Sequence, residues 1–210
     1  MAPRTNTNNG PGRAALAGAD ADQGSAAQRD RRRRILEATL QLASKGGYDA
    51  VQMRTVAERA EVALGTLYRY FPSKIHLLVS ALALEFEGIQ EKFDRKPIPG
   101  ATPYERTLYV LGGVTRRMQR EPLLTEAMTR AFMFADPSAS AEVNAVARLM
   151  EDMFTRAMHE HDGEPTADDR AKARVIGDVW LSNLVAWVTR RASANDVVDH
   201  LELATRLLLR

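Results

Sequence analysis

The stretch "MRTVAERAEVALGTLYRYFPSK", residues 53–74, decides the fold of the first part of the chain. Apolar residues at helical spacing predict one short helix over about residues 53–60 and a second over about 64–70, with only three residues between them. Leu67 and Phe71 lie one turn apart on the second helix and can pack on the first. Two short helices joined by a tight turn form a helix-turn-helix, whose second helix enters the major groove of DNA.

The outward face of the second helix carries residue types that contact DNA. Gly65 allows a close approach of the backbone, and Arg69 can reach a phosphate or a guanine edge. Thr66 and Tyr68 can donate to phosphate or meet a thymine methyl group. Lys74 begins the next helix, where free N–H groups favour an anion. The predicted DNA-binding residues are Arg31, Arg32, Arg54, Leu64, Gly65, Thr66, Tyr68, Arg69, Tyr70 and Lys74.

The distribution of charge supports a polyanionic partner at this end of the chain. Residues 1–76 contain 12 Lys/Arg against 7 Asp/Glu, whereas residues 77–210 contain 17 against 20. The run "RDRRRR", residues 29–34, lies near the start of a predicted helix, where cations oppose the helix dipole. A solvated surface is the alternative interpretation of such a run. We expect the DNA backbone to be its partner because the run lies close to the helix-turn-helix.

Helix signals continue along the whole chain. Ser25 and Gln28 have the spacing of a capping box that begins the first helix, and Gly46-Gly47 is expected to end it. Longer helices are predicted over about 74–93, 102–119, 122–135, 138–160, 167–191 and 194–209. Their starts are marked by Ser73, the capping-box pair Thr102 and Glu105, Pro122, Pro137, Thr166 with Asp168 and Asp169, and Ser193. Nine helices without a strand pattern predict an all-α fold. Residues 1–24 lack hydrophobic periodicity and are predicted to be a disordered tail.

Several classes of protein are disfavoured. The chain has no cysteine, so disulfides and thiolate chemistry are excluded. No apolar run approaches the roughly 18 to 20 residues of a membrane helix, and no signal peptide is recognisable, so we expect a cytoplasmic protein without membrane contact. Catalytic and nucleotide-binding motifs are missing, and His159 and His161 lack further ligands, so no enzyme, metal or cofactor is expected. A helical-bundle enzyme or acyl-CoA carrier is the distant alternative; salt-dependent binding to duplex DNA distinguishes it.

The helices after residue 73 offer an apolar pocket and a face for a second chain. Helix 167–191 is apolar almost all round, so it is predicted to pack on its own core and, together with helix 194–209, on the same surface of a second copy. Asn183 within it can bond a ligand, a backbone carbonyl or its two-fold mate. Core packing is the alternative role for the predicted ligand-binding residues Leu108, Leu111, Met118, Leu124, Met128, Phe132, Phe154, Met158, Trp180, Asn183 and Leu184.

The segment "GYDAVQMRTVAERAEVALGTLYRYFPSKIHLL" resembles the DNA-binding domain of TetR-family transcriptional repressors. Gly-Thr-Leu-Tyr-x-Tyr-Phe-x-x-Lys is the family's signature, and the nine-helix layout matches across residues 25–210. The resemblance implies a helix-turn-helix domain over residues 25–72, and a ligand-binding and dimerisation domain over residues 73–210 that forms a dimer on a palindromic operator. The inter-helix turn often reads Ala-Gly-Val-Ser in this family, whereas here Glu61 replaces the glycine, where a left-handed backbone is uncomfortable.

Two blocks of the regulatory half, "LLTEAMTRAFMFAD" and "DVWLSNLVAWVTRRAS", resemble members of the family that control sterol catabolism. That resemblance implies release from DNA by a CoA thioester of a cholesterol side-chain degradation intermediate. A fatty acyl-CoA or another hydrophobic ligand is the alternative inducer, and ligand competition distinguishes them.

Overall fold

The computed structural model describes residues 12–159 and 164–209, with side chains described from residue 26 onward. Across these residues the chain forms nine α-helices, one short 3-10 turn and no strand, which confirms the predicted all-α fold. The helices are α1 (Gly12–Ala50), α2 (Met53–Arg59), α3 (Leu64–Tyr70), α4 (Lys74–Asp94), α5 (Pro103–Arg120), α6 (Pro122–Met133), α7 (Ser140–Met158), α8 (Ala167–Val188) and α9 (Ala194–Leu209).

The first helix starts earlier than the sequence predicts. α1 begins at Gly12, so Ser25 lies inside the helix and residues 12–24, predicted to be a disordered tail, are helical. Alanine, the strongest helix former, occupies five of the 13 positions in this stretch. This helix formation depends on intrinsic propensity and not on an apolar stripe, which is why periodicity gave no signal here. Residues 1–11 of the predicted tail lie outside the described residues.

The end of α1 is broken at the two glycines, as predicted. Gly46 (φ −140°, ψ 16°) and Gly47 (φ 66°, ψ −159°) leave helical geometry. The positive φ at Gly47 is one that side chains rarely adopt. A Cβ at Gly47 would lie 3.8 Å from a Leu123 side-chain carbon, so the bend brings the end of α1 against α6.

The unit formed by α1, α2 and α3 is held together by a small core. Val56 on α2 and Leu67 on α3 are fully buried, and Phe71 just after α3 is 1% exposed. They join Ile35 and Leu36 of α1 in one hydrophobic cluster. The Arg34 guanidinium donates to the Ala60 carbonyl over 3.1 Å and so satisfies the end of α2. The predicted helix-turn-helix is confirmed.

The turn between α2 and α3 contains a left-handed residue that is not glycine. Glu61 has φ 54°, as its place in the turn led us to expect, and the N–H of Val62 bonds the Ala57 carbonyl over 3.0 Å. A side chain in this conformation costs on the order of 1 kcal/mol. Neither Gln52 before α2 nor Ala63 before α3 makes a side-chain cap bond. Both short helices therefore depend on packing instead of caps.

Glu61→Gly is expected to raise the free energy of unfolding by roughly 0.5 to 1 kcal/mol, because relief of the left-handed strain exceeds the entropy that glycine adds to the unfolded chain. Urea unfolding of the ligand-free protein measures the change. Glu58→Gly is the matched control, since Glu58 lies within α2 and glycine there should cost about 1 kcal/mol. Equal destabilisation by both variants would contradict the strain at Glu61.

Helices α4 to α9 form the larger body, and predicted caps hold several of their starts. Ser73 accepts from the His76 backbone N–H at the start of α4, and Thr102 forms a capping box with Glu105 at α5. Thr166 forms another with Asp169 at α8. The Thr166 hydroxyl and backbone N–H lower the pKa of Asp169 to about 2.

Two other helix ends differ slightly from the prediction. The 3-10 turn Pro137–Ala139 precedes α7, so its first regular turn begins at Ser140. α8 ends at Val188 because Arg190 adopts φ 60°, and the N–H of Arg191 then bonds the Ala186 carbonyl over 2.8 Å.

Candidate DNA-binding surface and ligand cavity

α3 presents most of its predicted DNA-binding residues to solvent. Tyr68 is 46% exposed and Leu64 is 39% exposed. Gly65 and Arg69 are also exposed, while Thr66 and Tyr70 are half-buried. A Cβ added at Gly65 would meet no described atom within 4 Å, so this backbone is open to a close approach. The arrangement gives α3 one buried face and one polar face that is free to meet the major groove.

The basic run of α1 is divided between internal and outward roles. Arg33 pairs with Glu37 over 2.8 Å, and Arg34 is used at the end of α2. Arg32 is exposed, and its guanidinium lies 5.5 Å from the centroid of the Phe71 ring, directly behind α3. Arg31 is half-buried on the same helix. A cation–π contact of this kind holds Arg32 beside the C-terminal end of α3.

Arg54 and Lys74 come from the helices before and after α3 in the chain. Arg54 is exposed on α2, 3.7 Å from Glu58. Lys74 begins α4, and its Nζ lies 3.7 Å from the centroid of the Tyr48 ring. Burial lowers the pKa of Lys74, an effect that the Asp49 carboxylate opposes. In this conformation Lys74 is a contact between the helix-turn-helix unit and the body.

Tyr48 also contacts the body through α6. The Arg130 guanidinium lies 4.3 Å from the centroid of its ring, which is therefore shared between cations of α4 and α6. The Ser44 hydroxyl adds a bond to the Glu121 carboxylate at the junction of α5 and α6. Sequence reasoning missed these contacts because they join segments far apart in the chain, and no motif marks them.

His76 ties the start of α4 to the turn before α7. In the buried ring, Nε2 lies 3.1 Å from the Ser138 carbonyl oxygen and Nδ1 lies 2.9 Å from the Ser73 hydroxyl oxygen. A carbonyl oxygen only accepts, so Nε2 donates to Ser138, and in the neutral ring Nδ1 is then the acceptor for the Ser73 hydroxyl. His159 likewise has a partner inside the chain, the Asp169 carboxylate 2.9 Å away, whereas His161 lies outside the described residues.

A cavity of about 470 Å³ lies within the body among α4, α5, α6, α7 and α8. Its size is typical of a site for a small organic ligand. Four of the predicted ligand-binding residues line it: Met118, Phe132, Trp180 and Leu184. Sequence reasoning missed the wall that α4 provides through Leu82 and Phe86, and the wall that α7 provides through Met150.

The other predicted ligand-binding residues do not belong to the cavity lining. Leu108 is half-buried on α5. Five are buried in the core: Leu111, Leu124, Met128, Phe154 and Met158. The Asn183 amide donates to the Val179 carbonyl over 2.8 Å, and its oxygen lies 2.8 Å from His200 Nδ1 on α9. In this structure Asn183 therefore links α8 to α9.

The two ends of the cavity differ in polarity. At the end between α7 and α8, the lining residues Asn144, Arg148, Arg174 and Asp178 are exposed. The rest of the lining is mostly buried and apolar, with Thr129 as a buried polar residue, and the Trp180 indole N–H donates to the Thr115 hydroxyl over 3.0 Å. A ligand whose charged part stays at the α7–α8 end and whose apolar part enters the body suits this shape.

α9 and part of α8 leave apolar side chains in solvent. Val197 and Leu201 of α9 are buried in the body. Exposed fractions of 45 to 74% are found for Val175, Val198, Leu203 and Leu207. Apolar residues on two sides of one helix are typical of an element that also packs on a partner.

None of the described helices combines the length and the apolar character that a membrane span requires.

Comparison with known proteins identifies the family. Residues 35–81 match the family of bacterial regulatory proteins named tetR, and residues 100–208 match the tetracyclin repressor-like C-terminal domain. The HTH-type transcriptional repressor KstR of Mycolicibacterium smegmatis is 65% identical over 190 residues, which cover 90% of this chain and 92% of the relative.

Solved structures of other proteins share this fold. The crystal structure of a TetR transcriptional regulator from Rhodococcus sp. RHA1 matches with a TM-score of 0.79 at 32% identity, covering 87% of this chain and 97% of its own. FadR of Thermus thermophilus, a repressor solved in complex with lauroyl-CoA, shares the fold with a TM-score of 0.60 at 22% identity. The match covers 84% of this chain and 92% of the FadR chain. The chain belongs to the TetR family and is a helix-turn-helix transcriptional repressor, not an enzyme.

Proposed function

We propose that the protein binds a palindromic operator in the cytoplasm as a homodimer and is released when a hydrophobic ligand occupies the body cavity. One observation carries this proposal: α6 lines the cavity of the body and also contacts the end of α1 in the helix-turn-helix unit. Thr129 and Phe132 of α6 line the cavity. On α6 the Leu123 side chain lies beside Gly47, and Arg130 lies over Tyr48 at the end of α1. A ligand that moves α6 therefore acts on the helix that supports the DNA-binding unit.

The dimer is proposed to form through α8 and α9. The exposed apolar residues Val175, Val198, Leu203 and Leu207 supply a surface for a second copy of the chain. A two-fold dimer presents two copies of α3 to two half-sites about one DNA turn, roughly 34 Å, apart. The palindromic operator follows from that symmetry.

The inducer is proposed to be a CoA thioester of a sterol degradation intermediate. The high identity to KstR and the two regulatory blocks that resemble sterol-responsive repressors support this choice. The cavity supplies a mainly apolar chamber, and Arg148 and Arg174 lie at its exposed end, where phosphates of a CoA group can meet them. A fatty acyl-CoA is the second candidate, because the FadR structure that shares this fold contains lauroyl-CoA.

Release requires a ligand that prefers one of two conformations of the body. We propose that the ligand favours a body in which α4 and α6 are displaced, so that the two copies of α3 no longer match the operator. The ligand can shift this equilibrium only by its difference in affinity for the two conformations.

Fluorescence anisotropy tests the proposal on a labelled palindrome of the KstR type. The protein is titrated with a sterol-derived CoA thioester, with its free acid and with stearoyl-CoA. Release by the sterol thioester alone supports the proposed inducer, and release by stearoyl-CoA alone favours the second candidate. Tight binding that no ligand changes would overturn the inducer, and no binding at any salt concentration would overturn the operator.

Tyr48→Ala is expected to weaken the coupling between ligand and operator. The ring contacts Lys74 of α4 and Arg130 of α6, and each such contact contributes on the order of 1 kcal/mol. We expect the ligand-free affinity for DNA to change by less than about threefold, while the ratio of operator Kd with and without ligand falls about fivefold or more. Tyr48→Phe keeps the ring and should keep the ratio. An unchanged ratio in Tyr48→Ala would place the coupling elsewhere.

A further inference from the structure

The buried end of the cavity contains a hydroxyl group with no partner. Thr129 on α6 is 4% exposed and lines the cavity. Its Oγ1 is buried and has no hydrogen-bond partner among the described residues. A buried hydroxyl without a partner costs free energy, so native proteins usually satisfy such groups.

The neighbouring polar groups are already used. The Thr125 hydroxyl, one turn earlier on α6, donates to the Met118 carbonyl over 2.6 Å. The Thr115 hydroxyl accepts from the Trp180 indole over 3.0 Å, which also occupies the indole N–H. Within the described part of the chain, Thr129 is thus the one lining residue that carries a buried, unsatisfied side-chain polar atom.

Thr129 is a buried lining residue, whereas the charged lining residues are exposed. The exposed residues Arg148 and Arg174 belong to α7 and α8, and Thr129, Phe86 and Met118, which also line the cavity, are buried on α6, α4 and α5. A ligand that keeps its anionic part at the opening therefore brings its far end toward Thr129. A plain alkyl end would leave the hydroxyl unsatisfied, whereas a ketone or hydroxyl oxygen would complete its hydrogen bond.

We propose that the Thr129 hydroxyl binds an oxygen atom at the end of the ligand opposite its anionic group. This residue then selects an apolar ligand body that carries a ring ketone or hydroxyl over an oxygen-free body of the same shape. The inference rests on the proposed function, because it assumes that the inducer occupies this cavity. The Thr129 hydroxyl would then make the repressor respond to an oxygenated polycyclic thioester in preference to a plain acyl chain.

The test compares two CoA thioesters of one steroid side-chain acid. One carries a ketone on the ring farthest from the thioester, and the other has the same skeleton without that ketone. Isothermal titration calorimetry gives the affinities of the full-length protein, and operator release gives the same ranking independently. We expect the wild-type protein to prefer the ketone roughly threefold to tenfold, the contribution of one neutral hydrogen bond.

Three variants separate this role from packing. Thr129→Val keeps the shape and removes the hydroxyl, so the preference for the ketone should vanish while the affinity for the ketone-free thioester is unchanged. Thr129→Ser keeps the hydroxyl and should retain the preference. Thr125→Val is the matched control, because its loss of the bond to Met118 should lower the thermal midpoint without changing the preference.

The outcomes distinguish this inference from the proposed function. A ketone preference that survives in Thr129→Val overturns the role of Thr129, as does equal wild-type affinity for both thioesters. In either case the sterol inducer stands, because both compounds bind. If neither thioester binds or releases the operator, the proposed inducer itself fails and the inference falls with it. If Thr129→Ser retains the preference for the ketone while Thr129→Val loses it, the hydroxyl group is the determinant.

Discussion

Trp180→Ala is expected to lower the free energy of unfolding by roughly 3 to 5 kcal/mol. The side chain is 2% exposed, and its ring meets Phe86 edge to face with 5.9 Å between centroids. Its N–H is bonded to the Thr115 hydroxyl, which would lose that partner. The substitution also enlarges the ligand cavity, so affinity for the inducer should fall. Urea unfolding and calorimetry measure the two losses.

A graded variant and a DNA measurement complete the Trp180 test. Trp180→Phe keeps a ring against Phe86 but lacks the indole N–H, so its cost should be smaller, about 1 to 2 kcal/mol. Operator affinity per folded dimer should stay unchanged in both variants, because Trp180 belongs to the body and not to α3. If neither stability nor ligand affinity falls in Trp180→Ala, the placement of this face of α8 is wrong.

The sequence predicted those features of the fold that depend on local chemistry. Thr102 with Glu105 marked a helix start by the spacing of a capping box, and Thr166 with the carboxylates Asp168 and Asp169 marked another, because both signals involve residues at most three positions apart. Gly46-Gly47 marked a break for a similar reason. The start of α1 at Gly12 was missed because this alanine-rich stretch shows no hydrophobic period.

The two candidate sites differ in how far the sequence could define them. On α3, Leu67 and Phe71 fix the buried side, so the outward side of a short helix follows by geometry. In the body, Leu111 and Met118 have the same apolar character on one helix, yet only Met118 lines the cavity. A pattern of apolar residues shows that a helix is buried. It cannot show where a neighbouring helix leaves a cavity and where it packs directly against the apolar side chains.

Contacts between distant segments were beyond sequence reasoning for another reason. The ring of Tyr48 is shared by Lys74 and Arg130, so three separate parts of the chain meet there. Lys74 was predicted as a phosphate contact from its place at the start of α4, which is a local argument. Its stacking on Tyr48 depends on how the helix-turn-helix unit packs on the body. Because that packing joins the two parts of the molecule, the contact between Lys74 and Tyr48 bears on the proposed coupling between ligand and operator.

Tyr68→Ala is expected to weaken operator binding roughly 30-fold to 150-fold. Tyr68 is 46% exposed on α3, and each protomer of the proposed dimer places one copy of it at a half-site. A hydrogen bond that contributes about 1 to 1.5 kcal/mol per protomer counts twice in the free energy of binding. Anisotropy titrations on the palindrome measure the loss. Ligand affinity and dimerisation should not change, because the residue lies outside the body.

Tyr109→Ala is the matched control for this variant, since Tyr109 is also 46% exposed but belongs to α5 of the body. Its operator affinity should equal that of the wild type. Tyr68→Phe separates the hydroxyl from the ring: a loss as large as in Tyr68→Ala assigns the contact to the hydroxyl. Because tyrosine is neutral, the slope of log affinity against log salt should remain that of the wild type, whereas Arg32→Ala should reduce it. Unaltered affinity in Tyr68→Ala would remove Tyr68 from the DNA interface.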